Sequence, residues 1–355
     1  MGRQQASKEP GAEVVPAAAL NGRRFRVRDH YEVGREKIRE FARAVQNRHP
    51  AHRQEERASE LGYDALIAPP TFPSVIGMAA TSALLDSVLT DYDLSQVLQT
   101  DQVFYMHRPM LAGDRIVSEV EITSIRQFGD GDFIHISFVL SNQDDEPAVV
   151  GSTTVVARRG AQTDPRVAEA IENIMMHGHR PARAAAGLDE LDLLVELEPR
   201  PADAPVPVPP RLPVHTAVDF DTLSVGDELA LGTVELTRGD LVNYAGVSAD
   251  ANPIHFSEHA ASVAGLPDVV AHGLLTMGLA AGQLASWLDD PTAIEKLSVR
   301  FAGFVPVAAA TPSVIDFTGK IKALDPDQRM ATVVLGGRSG GRKIFGRAIA
   351  EVRFS

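Results

Sequence analysis

Asp250, Asn252 and His255 stand within six residues of one another, in the segment Tyr-Ala-Gly-Val-Ser-Ala-Asp-Ala-Asn-Pro-Ile-His that ends at His255. A carboxylate and an imidazole so spaced can pass a proton to and from a substrate near neutral pH, where histidine titrates. A capping aspartate followed by a surface histidine is the plain alternative. Farther on, Ala271, His272 and Gly273 open a long apolar stretch. If that stretch is a helix, its first N–H groups have no acceptor within it and sit at the positive end of the dipole. Glycine at 273 lets a carbonyl oxygen approach one of them, as oxyanion stabilisation requires. An acid–base pair beside an oxyanion donor is suited to removing a proton next to a thioester carbonyl. His272 precedes that glycine, where it could equally pack or cap.

The elements that must position these residues occur twice. Val33 to Phe72 and Leu236 to Leu275 align without a gap at an offset of 203 residues, pairing Arg35 with Arg238, Pro50 with Pro253, His52 with His255 and Gly62 with Gly265. At an offset of 197, Phe104 meets Phe301 and Pro109 meets Pro306. One repeat this long means two domains of one fold, not a solenoid. Each half predicts a helix (Arg35 to Gln46; Arg238 to Ala249), the second opened by Thr237 and Asp240 as a capping-box variant. A second short helix follows, with Asn252 at the N-cap, Pro253 at N1 and Gly265 as the stop, mirrored by His49, Pro50 and Gly62. Next comes an apolar helix (Ser74 to Leu89; Leu274 to Leu288). Strands follow over Arg115 to Ile125, Phe133 to Ser141 and Val149 to Ala157, then Ser313 to Ile321, Arg329 to Leu335 and Lys343 to Phe354. An apolar helix before a run of antiparallel strands can be buried only if the sheet wraps it. The expected fold class is therefore α+β, a double hot-dog with a long central helix in each repeat.

Length and composition agree. At 355 residues the chain has room for about two cores. The absence of cysteine excludes disulfides, a thiolate nucleophile and Cys-ligated metal, and fits a cytoplasmic protein. A net charge of -13 argues against nucleic acid as a partner. Val14 to Leu20 is too short for an anchor, and Gly273 to Leu288, broken by Gln283 and Ser286, reads as a core helix, so no membrane segment is expected. The expected organisation is a disordered tail over 1–22, an N-terminal domain over 23–160, a linker over 161–214 and a C-terminal domain over 215–355. Within the linker, Asp164 and Pro165 start a helix through Met176. His177 and His179 lack a third ligand and read as a turn, so no metal is expected.

The stretch Asp250-Ala-Asn-Pro-Ile-His255, followed by Val270-Ala-His-Gly273, resembles the hydratase motif of the MaoC-like (R)-specific enoyl-thioester hydratases and dehydratases. The N-terminal half, through Arg28 to Val45, His49-Pro-Ala-His52 and Leu66-Ile-Ala-Pro-Pro-Thr-Phe72, is similar to the substrate-holding subunit of the two-subunit (3R)-hydroxyacyl-carrier-protein dehydratases of mycobacterial fatty-acid elongation. The resemblance implies that Asp250 and His255 are the catalytic dyad, Asn252 a supporting polar group and Gly273 the carbonyl-binding amide. It implies an acyl-CoA or acyl-carrier-protein thioester as substrate and no cofactor. At the offset of 203, Asp250 corresponds to Asn47, which cannot exchange a proton, and Gly273 to Pro70, which has no N–H. The N-terminal half is thus expected to have lost catalysis, with Pro69 and Pro70 opening room for the acyl chain. Arg35, Arg39 and Arg43, on one helix face, could dock an acidic carrier protein or a CoA phosphate, with a solvated helix face the commoner explanation. A homodimer of double hot-dogs is compatible with all of this. A hot-dog thioesterase and a non-catalytic acyl-binding subunit are the alternatives.

Overall fold

The computed structural model describes residues 17–89, 92, 97–128, 131–157, 174, 193–200, 206 and 208–355. The N-terminal half contains β1 (Arg24–Val27), β2 (Tyr31–Glu32), α1 (Arg35–Ala44), α2 (Glu55–Glu60), α3 (Pro73–Ser87), β3 (Leu98–Met106), β4 (Arg115–Phe128), β5 (Gly131–Ser141), β6 (Pro147–Ala157) and β7 (Leu194–Leu197). The C-terminal half contains β8 (Glu228–Leu229), β9 (Thr233–Leu236), α4 (Arg238–Ser248), α5 (Glu258–Val263), α6 (Gly273–Leu288), β10 (Ile294–Phe301), β11 (Ser313–Asp325), β12 (Met330–Ser339), β13 (Arg342–Lys343) and β14 (Phe345–Arg353).

The strands join in one sheet, β7-β1-β4-β5-β6-β3-β10-β14-β12-β11-β8. The halves meet at the antiparallel pair β3–β10, where Gln102 lies opposite Val299. On either side the ladders repeat in mirror order, β6-β5-β4 and β14-β12-β11. Burial alternates along β6 and β14, so one face of the sheet is apolar and must be covered. Helices α3 and α6 cover it as the two central helices, and this is the double hot-dog fold. Helix α6 is buried along nearly its whole length, as expected of a helix apolar all round. One large apolar core runs through both halves, beside a small cluster of Ala51, Ala58, Tyr63 and Ile67. Among the described residues no helix is long and apolar enough to cross a membrane.

Several expectations change. The short second helix is two pieces in each half: a 3-10 turn (Pro50–His52; Pro253–His255) breaks before α2 and α5, which have their own N-caps. Of the tail expected over 1–22, Ala17–Leu20 form a 3-10 turn with Leu20 buried, and the Gly22 N–H donates to the Ile122 carbonyl at 2.8 Å. Leu20 orders this stretch by joining the core; residues 1–16 lie outside the described residues. The linker over 161–214 contributes β7, which pairs with β1 and is tied to it by an Arg23–Glu196 ion pair at 2.7 Å. Its C-terminal end buries Val214. The helix expected over Asp164 to Met176, apart from a helical Ile174, and the His177 and His179 pair lie outside the described residues.

Candidate active site

Helix α4 starts with the capping box: the Thr237 Oγ1 accepts from the Asp240 N–H, and Asp240 accepts from the Thr237 N–H at 2.8 Å. At its other end Ser248 Oγ donates to the Tyr244 carbonyl at 2.7 Å and accepts from the Asp250 N–H at 3.2 Å. Ala249 between them is left-handed, φ 62°, uncommon for a residue with a Cβ. That turn swings the chain off the helix axis and presents Asp250. Asp250 Oδ1 then accepts from the Asn252 N–H at 3.4 Å, and Asn252 Oδ1 caps the Ile254 N–H at 3.3 Å. Asn252 therefore shapes the bend that delivers His255.

His255 is buried, and its Nδ1 lies 2.7 Å from the Val270 carbonyl. A carbonyl only accepts, so Nδ1 carries the hydrogen and Nε2 keeps a free lone pair. Burial pushes the His255 pKa down, against the upward pull of the Asp250 charge and the Val270 bond. The neutral, basic form thus persists below the usual histidine range. His272 stacks on it, ring centroids 3.7 Å apart and planes 25° apart, with Nε2 donating to the Asp250 carbonyl at 3.3 Å. Burial and the neighbouring His255 hold His272 neutral as well.

Asp250, His255 and His272 offer one ligand atom each within 4.8 Å of one another. Stacked imidazoles send their in-plane lone pairs side by side, so the pair fits poorly around one tetrahedral ion. Gly273 is the first residue of α6, its N–H without an acceptor in the helix. A Cβ there would come 3.3 Å from the Phe301 ring, so glycine also keeps this corner open.

These groups border a cavity of about 230 Å³ that continues into the N-terminal half, between α3 (Ser74, Gly77, Thr81) and the inner strands (Phe104, Phe138, Thr153). The structure thus brings Asp250, Asn252, His255 and Gly273 to one cavity, with His272 packed directly behind. It also adds Ser74 of the other half, and Tyr244, which packs on His272 with centroids 4.9 Å apart. Tyr244 reads from the sequence as core; it is fully buried, and its hydroxyl approaches Ser74 without a well-formed hydrogen bond. The only hint is that Phe41 takes its place in the first repeat.

The repeat extends to the hydrogen bonds of the other half. His52 Nδ1 donates to the Ile67 carbonyl at 2.7 Å, as His255 does to Val270, and Gln46 is left-handed at φ 50° like Ala249. His52 is fully buried, and desolvation lowers its pKa to about 3. Asn47, buried, accepts from the His49 N–H at 3.1 Å. Pro69 and Pro70 line a separate cavity of about 380 Å³ beneath the Val208 to Val214 segment. Pro69 and Pro70 thus do not line the cavity beside Asp250; the N-terminal half opens it through the start and body of α3, at Pro73, Ser74, Gly77 and Thr81. Of the three helix-face arginines, Arg35 pairs with Glu55 and Arg39 with Glu36.

A sheet of two mirrored halves around two central helices, with an Asp–His pair in only one of them, defines an asymmetric double hot-dog protein. Residues 19–150 match the family described as FAS1-like, dehydratase domain region, and residues 222–332 match the MaoC like domain. A UPF0336 protein of Saccharopolyspora erythraea is 40% identical over 144 residues, 41% of this chain and 92% of that protein. A UPF0336 protein of Mycobacterium tuberculosis is 36% identical over 141 residues, 40% of this chain and 85% of that protein. The solved structure of a MaoC-like dehydratase is 40% identical, with a TM-score of 0.80 over 96% of this chain and 100% of that one. A Mycobacterium tuberculosis protein described as a double hot-dog has a TM-score of 0.62 at 14% identity, over 94% of this chain and 96% of that one, a likeness of fold alone. The chain belongs to the MaoC-like dehydratase family.

Proposed function

We propose that the protein is a (3R)-hydroxyacyl-thioester dehydratase, or in reverse an (R)-specific trans-2-enoyl-thioester hydratase, acting on acyl-CoA or an acyl carrier protein. The observation that carries this is the meeting of Asp250, His255 and the free Gly273 N–H at the mouth of one cavity. The thioester carbonyl accepts from the Gly273 N–H at the positive end of α6. His255 Nε2, held as a free base, takes the C2 proton, and the electron pair moves onto the thioester oxygen. Asp250 stabilises the imidazolium so formed. The enolate re-forms its carbonyl as the C3–O bond breaks, and the hydroxyl leaves with a proton from the dyad as water. Both transfers occur on one face, giving syn elimination and a trans-2-enoyl product. The acyl chain lies in the part of the cavity walled by α3 and the first sheet half, which makes the N-terminal domain the non-catalytic, chain-holding one. His272 holds the His255 ring by stacking, and Asn252 fixes the bend.

The test follows the enoyl absorbance of a trans-2-enoyl-CoA. Loss without free thiol is hydration, free thiol is thioester hydrolysis, and neither is binding alone. Asp250→Asn, the residue of the first repeat, should lower turnover by about 10²- to 10⁴-fold with folding intact. Unchanged turnover removes Asp250 from the mechanism.

A further inference from the structure

The wall that the N-terminal half supplies to this cavity is apolar at Phe104 and Phe138 but carries Gln99, Gln102 and Thr153. Gln102 and Thr153 are 4% and 7% exposed and stand opposite one another on β3 and β6. Buried amides and hydroxyls cost free energy unless they are bonded, so a fold places them inside only with partners to hand. The second repeat shows that the fold does not require them. At the offset of 197, Gln102 corresponds to Val299, which faces it across the seam; Val299 pairs with Ala348 where Gln102 pairs with Thr153. The half with the cavity has Gln and Thr at these positions, and the other has Val and Ala.

The hydrogen bonds say what this polar wall still has to offer. Gln102 Nε2 donates to the Val103 and Ser152 carbonyls, each at 3.2 Å. Gln99 Nε2 donates to Gln102 Oε1 and Thr153 Oγ1, each at 2.8 Å. The Thr153 hydroxyl donates to the Asp101 carbonyl at 3.3 Å. An amide has two hydrogens and a hydroxyl one, so every donor of the three side chains is used. What remains is acceptor capacity, chiefly Gln99 Oε1, which accepts from none of the described residues. A carbonyl, ether or carboxylate on a bound chain would find no hydrogen here. An alcohol brings its own.

From this, and resting on the hydratase reading above, we infer that the substrate is an acyl thioester bearing a second hydroxyl farther along its chain, which donates to Gln99 Oε1. The full-length protein is assayed by hydration of trans-2-enoyl-CoA substrates of one length, unsubstituted or hydroxylated at successive distal carbons. One position should raise kcat/KM about tenfold over the unsubstituted chain. Gln99→Leu should bring that ratio to about one, and so should Gln102→Val combined with Thr153→Ala, which copies the second repeat. No favoured position, or a preference that survives these variants, overturns the inference. Should the double variant fail to fold, Gln99→Leu, at a partly exposed residue, decides. Crotonyl-CoA separates the two levels: hydration of it without any hydroxyl preference sinks only this inference, whereas no hydration of any enoyl thioester, on CoA or on an acyl carrier protein, sinks the parent reading.

Discussion

His52 is a retained histidine with no partner for chemistry, and it should set part of the protein's acid sensitivity. It is fully buried, its Nδ1 bonded to the Ile67 carbonyl and its Nε2 unpartnered. Desolvation lowers its pKa from 6.5 to about 3, so the unfolded chain binds the proton more tightly than the fold does. The contribution to stability is fully present above 6.5 and is lost as pH falls toward 3. Across that window one proton is linked to unfolding, about 1.4 kcal/mol per pH unit, so lowering the pH from 6.5 to 5 removes about 2 kcal/mol through this residue alone. His52→Asn keeps an N–H able to reach Ile67 but does not titrate. It should cost about 1–3 kcal/mol near neutrality through lost packing, yet lose about 2 kcal/mol less than the parent between pH 7 and pH 5. Urea midpoints of both proteins at the two pH values measure this. Equal acid losses in parent and variant would refute the assignment of a neutral buried His52.

Asn47→Asp should not create a second active site, since Pro70 offers no N–H, and the buried carboxylate should lower the urea midpoint; hydratase activity of Asn47→Asp in an Asp250→Asn background would contradict this. Because burial lowers the His255 pKa below 6.5, kcat/KM for enoyl-CoA hydration should hold as pH falls through 6.5 and decline only beneath it. An acidic limb at or above that value in the pH–rate profile would mean the imidazole is not the base. Gly77→Ala, with nothing within 4 Å of the added Cβ, should raise stability by up to about 1 kcal/mol and raise KM for long-chain substrates. Gly278→Ala, whose Cβ would fall 2.6 Å from Val45 Cγ1, should lower it by about 1–3 kcal/mol; shifts of one sign in both urea midpoints would undo this contrast.

What could be read ahead of the structure was what local chemistry signals. The capping box at Thr237, the stop at Gly265 (φ 77°) and the all-round apolar α6 follow from short-range rules, and the repeat carried those rules to the other half. The seam strands were not legible. In β3 the run Leu-Gln-Thr-Asp-Gln lacks apolar alternation because a bulge between Gln99 and Asp101 breaks the period and the inward positions are polar. The left-handed Ala249 that presents Asp250 has no mark in its residue type, since alanine has no preference for that region. Tyr244 and Ser74 beside the dyad were invisible for a different reason: only the fold brings one half's helix start against the other's motif.

That last point bears on why a half without its own acid should persist. The two corners of the mirrored fold are packed differently. At the Asn47 corner α6 presses close: Gly278 lies against Val45 and Thr71 with little room for even a methyl group, and Gly282 packs on Asn47. At the Asp250 corner α3 stands off, and a cavity opens along Gly77 and Thr81. Asp250, His255, Gly273 and Phe301 line one side of that cavity, and its opposite wall is built from α3, β3, β5 and β6 of the other half. Space at one corner and close packing at the other are achieved by one pair of helices, each central to its own half and each touching the other half's motif. A C-terminal half alone would keep Asp250, His255 and Gly273 but lose the surface that encloses whatever they act upon.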